Sequence, residues 1–166
     1  MKRLSYQSLQ PSSGRASVAA RGSSNKAGTR CELLLRKALW AKGCRYRKNV
    51  KHLPGCPDLV FLSARVALFC DGDFWHGREW ESRQKKLALG HNSAYWLAKI
   101  GRNIDRDWQN TQELLDRGWT VLHIWESEIL ADPEKVARDV LAILHGKAST
   151  IPPTLDLRRA VGVNRT

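Results

Sequence analysis

Pro57-Asp58-Leu59-Val60-Phe61-Leu62, a Ser63-Ala64-Arg65 link and Val66-Ala67-Leu68-Phe69-Cys70-Asp71 read as two apolar runs around a tight turn. This pattern predicts an antiparallel hairpin over 57–62 and 65–71. With the turn centred near residue 64, Asp58 falls across from Cys70 or Asp71. Opposed residues of an antiparallel pair share one face of the sheet. Gly72-Asp73-Phe74-Trp75-His76 follows directly. A carboxylate, a second oxygen donor and an imidazole therefore gather at one sheet edge. Oxygen donors suit Mg²⁺, and a neighbouring imidazole can take a proton from water. The combination points to phosphodiester hydrolysis.

Working outward, Thr29 and Glu32 form a capping-box pattern ahead of Leu33, Leu34, Leu35, Ala38 and Leu39, which predicts an inward-facing amphipathic helix ending at Gly43. Residues 44–50 read as a short strand, and the run from Asp73 to His91 as a basic loop. Asn92 or Ser93 can cap a long helix that runs to about Arg117 and stops at Gly118. On it, Trp96, Ile100, Asn103 and Asp107 share a stripe. A strand over 119–125 and a helix from Pro133 to about Leu144 complete an α/β chain, a small mixed sheet with helices on both sides. Residues 1–27 lack hydrophobic periodicity and read as a disordered basic arm, 28–146 as the folded domain, and 147–166 as a C-terminal tail.

The net charge of +12 is unevenly placed: residues 1–30 hold six Lys/Arg and no acid. Such an arm grips a phosphate backbone or merely solubilises the chain. Within the domain, residues 36–51 hold seven Lys/Arg and no acid, among them Arg45, Arg47 and Lys48. Residues 78–106 hold another seven, including Lys99 and Arg102, interleaved with Trp80, Tyr95 and Trp96. Basic groups mixed with aromatics suit nucleic acid, since phosphates take the charge and bases stack on rings. Cysteines at 31, 44, 56 and 70 show no CxxC pairing, so they read as core thiols of a reducing compartment. No apolar run reaches membrane length.

Leu53-Pro-Gly-Cys-Pro-Asp58, Asp71-Gly-Asp-Phe-Trp-His76, Trp96-Leu-Ala-Lys-Ile-Gly-Arg-Asn103, Arg106-Asp107 and Gly118-Trp-Thr-Val-Leu-His-Ile-Trp-Glu126 occur in that order. Together, from about Thr29 to about Leu130, they resemble the very-short-patch-repair (Vsr) mismatch endonucleases, relatives of the PD-(D/E)xK nucleases. The resemblance implies a restriction-endonuclease-like mixed β-sheet flanked by helices. It implies a Mg²⁺-dependent nick in duplex DNA beside a T·G mismatch, leaving a 3′-hydroxyl and a 5′-phosphate. The expected setting is the bacterial cytoplasm, at the nucleoid, with a monomer acting on double-stranded DNA.

Residue by residue, the resemblance makes Asp58 the principal metal ligand, aided by the backbone carbonyl of Cys70. His76 becomes the general base, and Asp107 its partner. Glu32 holds a metal-bound water, unless the capping box claims it. Cys70 and Asp71 stand where better-known members carry Thr and His. Asp71 is either a further carboxylate ligand or a turn residue with Gly72. Phe74, Trp75 and Trp96 match aromatics that wedge into DNA, and otherwise they are core. Arg45, Arg47, Lys48, Lys99, Arg102 and Asn103 are the expected DNA contacts. The family's structural zinc has Asp73, Arg78, Trp80 and Ser127 at its ligand positions here, with neither thiolate nor imidazole among them, so no zinc is expected. His52, His91 and His123 have no evident partner, and His123 reads as a half-buried strand residue.

Two other readings compete: a Vsr-like restriction or homing-type nuclease with another target, and a DNA-binding module on a decayed nuclease fold. Asp58, His76 and Asp107 together argue against decay.

Overall fold

Thr29 starts the first helix, α1 (Arg30–Ala41), in a computed structural model that describes residues 28–90 and 92–146. The basic arm over 1–27, the tail over 147–166 and His91 lie outside the described residues. Thr29 Oγ1 accepts from the Glu32 N–H, and Glu32 Oε1 accepts from the Thr29 N–H, each at 3.4 Å. These bonds satisfy donors that a helix start leaves without partners. Leu35, Ala38 and Leu39 are buried, whereas Leu33, expected inside, is 56% exposed. At 3.6 residues per turn it lies roughly 200° around the helix from Leu35, off the apolar stripe.

β1 (Arg47–Lys48), β2 (Leu59–Phe61), β3 (Val66–Asp71) and β4 (Thr120–Trp125) form one sheet in that order. The first three are antiparallel and β4 runs parallel to β3. The strand expected over 44–50 shrinks to β1, because Asn49 turns to a φ of 47° and leaves extended backbone. In the hairpin Leu59 pairs with Leu68 and Phe61 with Val66. Continuing that register sets Asp58 against Phe69, so the expected pairing with Cys70 or Asp71 is displaced. The cause is the turn: it takes four residues, 62–65, closed by the Arg65 N–H on the Leu62 carbonyl at 3.2 Å.

The stretch expected as a loop from Asp73 to His91 contains a helix, α2 (Trp80–Ala88). None of its residues is buried, so no apolar period marked it. The long helix α3 (Ser93–Asp116) follows Asn92, which takes left-handed backbone and makes no side-chain cap. After β4 come an unexpected short helix, α4 (Glu126–Ala131), and α5 (Pro133–Leu144), whose start Asp132 caps through the Lys135 N–H at 2.8 Å.

Leu59, Phe61, Val66, Leu68, Leu122 and Ile124 pack on α1, α4 and α5. On the other face Val60, Ala67 and Val121 pack with Leu114 of α3. With both faces covered, the strands read as continuous apolar runs rather than alternating ones. The architecture is the α/β, restriction-endonuclease-like mixed sheet flanked by helices. No helix among the described residues is long and apolar enough to cross a membrane.

Candidate active site

Asp58 precedes β2 and Asp71 ends β3, so the antiparallel pairing brings both to one edge of the sheet. The Cys70 N–H donates to Asp58 Oδ2 at 2.8 Å. Burial pushes the Asp58 carboxyl up to about 6. The carboxylates of Glu32 and Asp71 push in the same direction, while the Cys70 N–H and the Arg36 guanidinium oppose. A half-buried carboxylate repelled by two others is a site that a cation stabilises. Its oxygen donors fit a hard divalent ion. Among the described residues no three His, Cys, Asp or Glu side chains form a metal-holding group by themselves. A small cation that keeps several waters and shares substrate phosphate oxygens needs no such cage.

His76 sits in the turns between β3 and α2, and α3 holds those turns in place. Asn103 Nδ2 donates to the Trp75 carbonyl at 3.1 Å. Gly77, at φ 71°, lies so close to Ile104 that a Cβ there would stand 2.4 Å from Ile104 Cδ1. One turn further along the helix, Asp107 Oδ2 lies 2.6 Å from His76 Nδ1. Asp71 Oδ1 is 3.7 Å from the same nitrogen. Two carboxylates facing Nδ1 require a proton on it, which leaves the lone pair of the neutral ring on Nε2. That is the tautomer a general base needs.

Asp71, the last residue of β3, is buried. Its Oδ2 meets His123 Nδ1 at 2.8 Å. His123, expected half-buried and without a partner, is 3% exposed and also contacts Thr111 Oγ1 at 2.9 Å. The parallel pairing of β3 and β4 sets Phe69 beside His123, and their rings stack at 4.9 Å. A histidine inside the apolar run 121–125 was the available signal. The strand pairing that gives it a partner is not readable from local pattern.

The two roles expected of Glu32 compete, and the cap occupies it. Besides Thr29, the Gly28 N–H at 3.0 Å and Arg36 Nη2 at 2.8 Å reach Glu32 Oε2. Glu32 still acts on Asp58 by charge.

Phe74, Trp75 and Trp96 form one half-buried cluster, with ring centroids 5.1 to 6.0 Å apart. Lys99 Nζ stands 5.1 Å from the Trp75 ring and 5.7 Å from that of Trp96. Arg102 is exposed on α3. Arg47 and Lys48 are exposed on the edge strand, where Lys48 pairs with Leu59 next to Asp58. Arg45 stacks on Trp40 at 4.2 Å, which restrains its reach.

The positions that match the family's zinc ligands do not fit a zinc ion. Asp73, Ser127 and Arg78 bond to one another instead: Ser127 Oγ donates to Asp73 Oδ1 at 3.0 Å, and Arg78 Nη1 donates to Ser127 Oγ. Arg78 Nη2 reaches Glu128 Oε1 at 3.4 Å, and its guanidinium lies over the Trp125 ring. A protein cation stands among these positions, and its charge repels a metal ion.

Residues 10–82 match the family described as DNA mismatch endonuclease Vsr. The chain is 41% identical over 120 residues to the type II nicking enzyme V.HpaIIP of Haemophilus parainfluenzae, covering 72% of this chain and 84% of that one. It is 44% identical over 125 residues to the type II nicking enzyme V.NmeDIP of Neisseria meningitidis serogroup C, covering 75% and 83%. With the DNA mismatch endonuclease Vsr of Escherichia coli K12 the identity is 33% over 113 residues, covering 68% and 70%.

Proposed function

This chain belongs to the Vsr family of DNA nicking endonucleases, and we propose that it cuts one strand of duplex DNA in a Mg²⁺-dependent reaction at T·G mismatches. The single observation carrying the hydrolytic assignment is the Nδ1 of His76 held at 2.6 Å by Asp107, at the sheet edge that also bears Asp58. Asp58 would hold the metal, with the Cys70 backbone carbonyl and Asp71 Oδ1 beside it. The ion supplies charge neutralisation at the scissile phosphate. His76 Nε2 takes the proton of the attacking water, and Asp107 stabilises the imidazolium so formed. Phe74, Trp75 and Trp96, backed by Lys99, present an aromatic wedge. Unstacking a base step costs a few kcal/mol and is cheapest where pairing is already faulty, which favours a mismatch as target.

A second reading, nicking at another site, draws on two relatives being named type II nicking enzymes. It also draws on Cys70-Asp71, where the better-known members carry Thr and His. Nicking of otherwise identical T·G-containing and fully paired duplexes, in Mg²⁺ and in EDTA, separates the readings. Faster nicking of the mismatched duplex supports repair. Equal rates leave only the broader nuclease assignment, and nicking in EDTA removes the metal from it.

A further inference from the structure

We propose that His123 is a positioning residue for the His76–Asp107 pair, acting through Asp71 on one side and Thr111 on the other. The inference rests on the reading of His76 as the general base.

The contacts join end to end. The Thr111 hydroxyl has one proton, and the Asp107 carbonyl at 2.7 Å can only accept it. The same hydroxyl oxygen lies 2.9 Å from His123 Nε2. Nδ1 of the same ring faces Asp71 Oδ2 at 2.8 Å. The stacked Phe69 ring, at an interplanar angle of 9°, fixes the plane of the imidazole.

The result is one rigid ring bridging both groups that face His76 Nδ1. Asp71, whose Oδ1 lies 3.7 Å from that nitrogen, is tied down through its other oxygen. Asp107, whose carboxylate takes the Nδ1 proton, has its backbone carbonyl held by Thr111, which His123 holds in turn. Without this bridge the buried Asp71 carboxylate loses a partner, and His76 Nδ1 is a donor within reach to replace it. Asp71 would then compete with Asp107 for the imidazole and turn the ring from its working orientation. A core histidine satisfied only for packing predicts no such link to the chemistry.

The test is steady-state nicking in Mg²⁺ by His123→Asn, Thr111→Val and Thr111→Ser, each in the wild-type and the His76→Ala background. Thr111→Val keeps size and shape while deleting the hydroxyl, so it decides the matter if His123→Asn does not fold. In the wild-type background, His123→Asn and Thr111→Val should lower kcat by roughly 10–100-fold, as loss of a supporting hydrogen bond does in metal sites. KM for DNA should hardly change, and Thr111→Ser should recover most of the lost kcat. In the His76→Ala background neither substitution should slow the residual reaction further. Equal losses in both backgrounds, or a fully active Thr111→Val, would overturn the inference. A His76→Ala enzyme as fast as wild type would instead overturn the base assignment, a separate and recognisable failure.

Discussion

Asp107 Oδ2 and His76 Nδ1 meet at 2.6 Å across 31 residues of sequence. The contact joins the middle of α3 to the turns after β3 and sets the imidazole tautomer. Replacing His76 with Ala should slow nicking by roughly 10²–10⁴, the usual worth of a positioned base. Asp107→Ala should cost roughly 10–100-fold. Because Asp107 acts through the His76 ring, the double variant should be no slower than His76→Ala alone. Single-turnover rates on a nicking substrate measure all three, and additive losses would separate the two residues functionally.

Asp58 is held at a cost to stability in the metal-free protein. Its folded-state value of about 6 lies above the ordinary carboxylate value of 3.8. The folded protein therefore binds this proton more tightly than the unfolded chain does. Stability from this group is fully present below about pH 4 and is lost as pH rises through about 6. In EDTA, Asp58→Asn should raise the unfolding free energy above pH 7 by roughly 2–3 kcal/mol, from about 1.4 kcal/mol per pKa unit. The gain should vanish below about pH 4, while nicking is abolished at every pH. Denaturant melts across pH check the sign, and a variant less stable than wild type at pH 8 would contradict it.

Arg78 stands among Asp73, Ser127 and Glu128, where the family's zinc ligands would be. Arg78→Ala should lower stability by roughly 1–3 kcal/mol, the cost of leaving partly buried acceptors unsatisfied. Without added Mg²⁺, the wild-type protein should melt at the same temperature with and without EDTA. Elemental analysis showing about one zinc per chain would defeat this account of the site.

Trp75 lies in the cluster with Phe74 and Trp96, its carbonyl tied to Asn103 on the helix that also carries Asp107. If the wedge senses weak stacking, Trp75→Ala should shrink the ratio of mismatched to matched nicking more than it lowers the absolute rate. Paired kinetics on the two duplexes give that ratio. An unchanged ratio would place recognition elsewhere.

The arm over residues 1–27 is read from charge alone, since its five Lys/Arg face no acid in that stretch. Its deletion should weaken binding to all duplexes alike and flatten the salt dependence. Every phosphate that the shortened chain leaves unneutralised takes roughly 0.9 from the slope of log affinity against log salt. An unchanged slope after deletion would leave the arm as a solubilising segment.

Much of the frame was legible locally. The capping box at Thr29 and Glu32, the hairpin around residue 64, the long helix ending before Gly118 and Pro133 at a helix start all depend on near neighbours. Such features are set by hydrogen bonds and side-chain spacing within a few residues. The stripe of Ile100, Asn103 and Asp107 along α3 was legible for the same reason. α2 and α4 were not, because one buries none of its residues and the other is too short to show a period.

The sequence by itself determined the element types apart from α2 and α4, the nearness of Asp58 to Cys70, and the absence of thiolate or imidazole at the family's zinc positions. Only the tertiary structure decided what Asp71, His123 and Arg78 do. Asp71 meets His123 because β4 lies parallel to β3, in a register set by the packing of α3 on one face and α1, α4 and α5 on the other. Arg78 reaches Ser127 because α4 begins where β4 ends, beside the turns after β3. These partners are 49 and 52 residues apart. Contacts over such separations are selected by burial of the whole core, which no local pattern records.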